Sequence, residues 1–195
     1  MGKERLEAFS DGVIAIIITV MVLELHVPAG TTLDALVPII PIFLSYVLSF
    51  VFVGIYWNNH HHLLRAASRV NGVVLWANLL LLFFLSLIPF VTGWMGETQF
   101  QATPVALYGV ILWFSAVSYT LLVRALISNH GGDSVIAVAI GDDRKGKLSL
   151  ALYTIAIPLA FFIPLAACAC YVIVAIIWFI PDQRIERKIE QRAEE

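Results

Sequence analysis

The chain alternates long apolar runs with short polar breaks. Four runs match the length of a spanning helix, which needs about 20 mostly apolar residues. They lie at about residues 7–27, 36–57, 72–94 and 104–127. A further run, Leu148 to Ile180, is too long for one span and short for two. Pro158 and Pro164 divide it, because an interior proline breaks a helix, and this predicts a tight pair at about 148–162 and 165–180. Pro38 and Pro41 fall in the first turns of the second run, where proline is tolerated. The pattern predicts an all-α integral membrane protein of six transmembrane helices in one domain, 1–195, with a polar helical tail at 181–195. Five spans is the competing count. The loop Ser128–Gly146 is glycine- and aspartate-rich around an apolar segment, SVIAVAI, that lies along the membrane surface or packs beneath the bundle.

Composition agrees. Of 195 residues, 60% are hydrophobic and 13% charged, against about 45–50% and about 25% in soluble domains. This composition argues against a soluble enzyme and against a disordered linker. Net charge is −2, so there is no basic face for nucleic acid. Cys168 and Cys170 form neither a disulfide framework nor a zinc pattern. The first run is no cleaved signal peptide, since Asp11 sits near its start and no small-residue cleavage site follows.

Charge placement orients the spans. With six spans, all 12 basic residues fall on one side, and the positive-inside rule makes that side cytoplasmic. Five spans would put the four basic residues of the tail outside. Both termini are expected in the cytoplasm of a multi-pass protein of the cell membrane.

Polar residues inside spans are costly and mark function or helix-to-helix contacts. Following each span's direction puts Arg5, Ser10, Asp11, Trp57, His60, His61 and Asn78 in one layer near the inner surface. A carboxylate there is stabilised by Arg5 or a histidine. Three roles are open to this layer: glue between helices, support or switching of a pore, or catalysis. His60–His62 are a poor metal site, because three consecutive residues on a helix point in three directions.

At about 100° per residue, Ile16, Thr19, Val20, Leu23 and Val27 share a stripe of the first span, with Gly12 below them. Asp11 lies roughly 140° from Ile16. The stripe therefore faces away from the polar layer, toward lipid, another subunit or a symmetry axis.

The run from Arg5 through Phe9-Ser10-Asp11 to Thr19, followed by Tyr56-Trp57-Asn58-Asn59-His60-His61, Asn78-Leu79 and Pro89-Phe90, resembles the prokaryotic branch of the transmembrane protein 175 family of potassium channels. The resemblance implies a homotetramer of six-helix subunits around one pore lined by the first helix. It places Ile16 at the narrowest ring and Thr19 in a hydroxyl ring, with potassium in transit nearby. Val20 and Leu23 then lie further out. It assigns Arg5, Phe9, Ser10, Asp11, Trp57, His60, His61 and Asn78 to a structural polar network, with His60 preferred over His61. It implies no cofactor and no resident metal; the partners are further copies, the lipid bilayer, and potassium with other monovalent cations.

No Thr-Val-Gly-Tyr-Gly run is present. Conduction would pass a hydrophobic constriction that gates by wetting. The acidic Glu24, Asp34 and Glu97 would raise the cation concentration at the outer mouth. Two other functions compete: a secondary or proton-coupled transporter using Asp11 and His60, and an intramembrane enzyme using Ser10, Asp11 and His60. The first lacks an internal repeat, and the second lacks an oxyanion-hole motif.

Overall fold

The structure, a computed structural model, describes residues 2–131, 136–137 and 143–179. Its helices are α1 (Lys3–Leu23), α2 (Ile40–Ala66), α3 (Gly72–Ser86), α4 (Ile88–Glu97), α5 (Ala102–His130), α6 (Arg144–Leu159) and α7 (Pro164–Phe179). A 3-10 segment, Leu33–Ile39, leads into α2. Since α3 and α4 continue one another, the described residues form six helical rods. Lys3–Leu23, Leu33–Ala66, Gly72–Glu97 and Ala102–His130 are long and apolar enough to cross a membrane, and Pro164–Phe179 is a shorter apolar helix.

Local chemistry sets the boundaries, and several differ from the pattern. The first helix stops at Leu23 rather than residue 27. His26 Nδ1 takes up the Glu24 carbonyl at 2.9 Å, and Pro28 bars Val27 from helical geometry. Val27 therefore leaves the stripe. The second rod opens as a 3-10 turn around Pro38, and α2 proper begins at Ile40 with Pro41 in its first turn. It then runs past Trp57 to Ala66, because Leu63 and Leu64 continue its buried face. His60–His62 are thus helical. The third rod breaks at Leu87, where Pro89 has no N–H to offer and its ring crowds the preceding turn. Asn71 caps α3 by accepting from Val74 N at 3.0 Å.

The α4–α5 turn is tight. Gln99 and Phe100 both have positive φ, and Phe100 N closes onto the Met95 carbonyl at 2.9 Å. The last two rods form a hairpin, with Asp143 capping α6 through Gly146 N at 2.9 Å. Residues 160–163 make the turn, and Pro164 starts α7. Of the Ser128–Gly146 loop, the first residues extend α5 to His130, and Ile136 is buried. Residues 134–135 and 138–140 of SVIAVAI and the tail beyond Phe179 lie outside the described residues.

The core is continuous through the bundle. Leu6, Ile14, Ile17 and Met21 of α1 meet Phe52 and Val53 of α2 and the buried leucines of α3. Small residues let helices approach closely. A Cβ on Gly96 would lie 2.6 Å from Ile42 Cα, and one on Gly109 would collide with the Tyr171 hydroxyl. At one end of the bundle α1 begins, α2 finishes and α3 begins. It is called the proximal end below, and the opposite one the distal end.

Candidate functional site: a polar clamp behind an exposed apolar stripe

Three helices meet in a hydrogen-bonded chain at the proximal end. Ser10, Asn78 and His60 are all buried. Ser10 Oγ donates to the Leu6 carbonyl at 2.8 Å, one turn back on α1. Asn78 Nδ2 of α3 donates to Ser10 Oγ at 2.9 Å. That leaves Asn78 Oδ1 as an acceptor, and His60 Nε2 of α2 lies 2.7 Å from it. His60 Nε2 therefore carries a proton and donates. Every donor in the chain points the same way and ends on backbone, so the apolar interior is spared an orphan polar group.

A second, more exposed pair runs beside it. Trp57 Nε1 donates to Asp11 Oδ1 at 3.0 Å. The Trp57 ring stacks on His61, with centres 6.1 Å apart. His61 Nδ1 in turn lies 3.6 Å from Glu7 Oε1. Ser10, Asp11, Trp57, His60, His61 and Asn78 are thus brought together. His60, not His61, reaches Asn78. Two residues stand apart. Arg5 is exposed, and no hydrogen bond or ion pair within the described chain engages it, so the Asp11 carboxylate takes its bond from Trp57 instead. Phe9 is also exposed. On α1 both sit on the side turned away from the buried Leu6 and Ser10.

The stripe lies on the other face of α1. Ile16 is 63% exposed and Leu23 73%. Gly12, Thr19 and Val20 are exposed beside them. Thr19 Oγ1 donates to the Ala15 carbonyl at 2.9 Å, which leaves its oxygen lone pairs facing outward. The bonds to Ser10 and Asp11 fix the rotation of α1, and that rotation aims the stripe away from the bundle.

The residue pattern gave little warning of a second buried polar cluster, at the distal end. Ser49 Oγ meets Thr92 Oγ1 at 2.6 Å and the Tyr108 hydroxyl at 3.0 Å. Thr92 Oγ1 also donates to the Ile88 carbonyl at 2.7 Å, just past the break in the third rod. The available signal was Ser45 and Ser49 spaced four apart in an apolar helix. Glu7 was missed too. Among the described residues, no group of three or more His, Cys, Asp or Glu side chains gathers to hold a metal.

These features define a polytopic membrane bundle with one unpartnered apolar helix face and a polar clamp behind it. Comparison with known proteins makes the class specific. Residues 5–89 match the family model described as endosomal/lysosomal potassium channel TMEM175. A potassium channel of Chryseobacterium sp. (strain P1-3) is 51% identical over 191 residues, covering 98% of this chain and all of that protein. The human endosomal/lysosomal proton channel TMEM175 is 38% identical over 104 residues, 46% of this chain and 20% of that much longer one. The crystal structure of a lysosomal potassium-selective channel TMEM175 homolog from Chamaesiphon minutus superposes with a TM-score of 0.80 at 26% identity, covering 92% of this chain and 97% of that one. The chain belongs to the TMEM175 family. It is a multi-pass membrane protein and not an enzyme, since the family and these relatives are channels.

Proposed function

We propose that the chain is one subunit of a potassium-preferring cation channel in the cell membrane. Four copies ring a pore lined by the α1 stripe, and both termini face the cytoplasm. One observation carries this reading: Gly12, Ile16, Thr19, Val20 and Leu23 form a continuous exposed face on a helix whose opposite face is buried in the bundle. The names of the bacterial relatives support potassium as the permeant ion. Clustering of all 12 basic residues on one side in a six-span arrangement supports the orientation.

In the ring, Ile16 side chains converge on the axis and form a hydrophobic constriction. Water leaves a narrow apolar neck, and a small widening rewets it. Potassium sheds its hydration more readily than sodium, so preference arises without a carbonyl filter. Thr19 offers hydroxyl oxygens beyond the neck. The clamp residues hold α1 from outside the pore; no cofactor takes part.

The test is reconstitution of purified protein in planar bilayers together with particle symmetry. Discrete single-channel currents carried by potassium and a fourfold particle with Ile16 at its axis are expected. Slow saturable flux without unitary currents would instead identify a carrier. Ile16 facing acyl chains would overturn the pore assignment.

A further inference from the structure

A cavity of about 40 Å³, taken as the space open to the centre of a water molecule, lies inside the subunit away from α1. Tyr56 and Asn59 of α2, Tyr119 of α5, Asp143 and Tyr153 at and within α6, and Trp178 of α7 line it.

Two hydroxyls set this cavity apart. Tyr153 is 2% exposed and Tyr56 9%, yet neither hydroxyl bonds to the described chain. The other buried tyrosines do: Tyr108 meets Ser49, and Tyr171 donates to the Val105 carbonyl. Among the described residues, no fully enclosed side-chain oxygen lacks a partner. The Tyr56 and Tyr153 hydroxyls therefore keep some accessible surface, and both residues line this cavity. A buried hydroxyl left without a partner is costly, so the site calls for a hydrogen-bonding occupant.

Charge and shape narrow the occupant. Among the described residues, Asp143 is the only charged one in the lining, and it is acidic. One of its oxygens caps α6 through Gly146 N. Aromatic walls attract cations through their ring quadrupoles. Trp178 does so here, with Lys145 Nζ 5.8 Å from its ring centre. A water takes about 10–15 Å³ by the same measure, so the cavity has room for about three waters or one molecule of similar heavy-atom count.

We propose that this cavity binds a compact protonated primary amine of ethylammonium size. Its ammonium group meets Asp143 and the two hydroxyls, and its alkyl end lies against the rings. Tyr56 and Asn59 share a turn of α2 with Trp57 and His60, so an occupant bears on the residues that hold α1. The amine thereby modulates conduction. That second step rests on the channel function proposed above, whereas binding does not.

The experiment titrates full-length protein in micelles, with N-methylglucamine as the background cation, and reads the thermal unfolding midpoint. About three heavy atoms limit the dissociation constant to the millimolar range. Ethylammonium is expected to raise the midpoint saturably, while ethanol and potassium at equal concentration do not. Asp143→Asn keeps an N-cap and Tyr153→Phe keeps the ring. Each is expected to weaken ethylammonium binding about tenfold, the loss of one charge-assisted contact. Tyr56→Phe substitutes if either variant fails to fold. Ile16→Asn, at the proposed pore, leaves binding unchanged.

An equal response to ethanol marks a water pocket, and an equal response to potassium an alkali-ion site; either overturns the proposal. So does undiminished binding in both cavity variants, or loss of binding in Ile16→Asn. Liposome flux reads the second step. Intact binding with unaltered flux removes the modulation, and absence of potassium flux in the wild-type protein removes the channel function while leaving the site.

Discussion

The two ends of the bundle hold their helices differently. At the proximal end, directional bonds tie α1 to α2 and α3 through Ser10, Asn78 and His60, and Asp11 to Trp57. At the distal end, Ser49, Thr92 and Tyr108 tie α2, α4 and α5 together and leave α1 out. There α1 relies on the apolar packing of Ile14, Ile17 and Met21. Hydrogen bonds fix rotation and register, because they need heavy atoms about 3 Å apart in line. Apolar packing is less directional. The helix is thus pinned at its base and freer from Ile16 to Leu23, the stretch that the proposed pore would have to widen.

Substitutions on the two faces and two ends sharpen that contrast. Ile16→Asn puts a polar group at the proposed neck without touching the clamp. Potassium flux into liposomes is expected to rise roughly tenfold or more as the neck stays wet, with the unfolding midpoint unmoved. Unchanged flux would count against Ile16 as the gate. Asn78→Ala removes the middle of the clamp and strands His60 in an apolar setting. A loss of about 2 kcal/mol is expected in reversible unfolding within micelles.

Ser49→Ala deletes the distal hub, and about 1 kcal/mol is expected. If it shifted potassium flux as strongly as Asn78→Ala, the distal cluster would also control α1, and the contrast between the ends would fail. Trp57→Phe keeps the ring over His61 but drops the bond to Asp11. Since Trp57 is 45% exposed, about 0.5 kcal/mol is expected, read as a small fall in the unfolding midpoint.

Much of this was visible in the residue pattern. The apolar runs placed the rods, and following direction from span to span put Ser10, Asp11, Trp57, His60, His61 and Asn78 at one level. Helical geometry alone separated Asp11 from Ile16. Other features escaped. Arg5 belongs to the same level, yet it turns to the exposed side and leaves Asp11 to Trp57. Pro89 was legible as a proline, but the break it makes at Leu87 was not, since the apolar run continues unbroken through it. Tyr56 and Tyr153 lie almost a hundred positions apart, and nothing along the chain says that both line one cavity.

By itself the sequence determined that the chain crosses a membrane in helical rods and that an apolar stripe of α1 faces away from its polar residues. Both follow from composition and a fixed period of about 3.6 residues. Which histidine bonds Asn78, how far each helix runs, and where two tyrosine hydroxyls are left open were decided only in three dimensions. Those outcomes depend on the rotation and spacing of neighbouring helices to within an ångström, and a one-dimensional pattern carries no such distance.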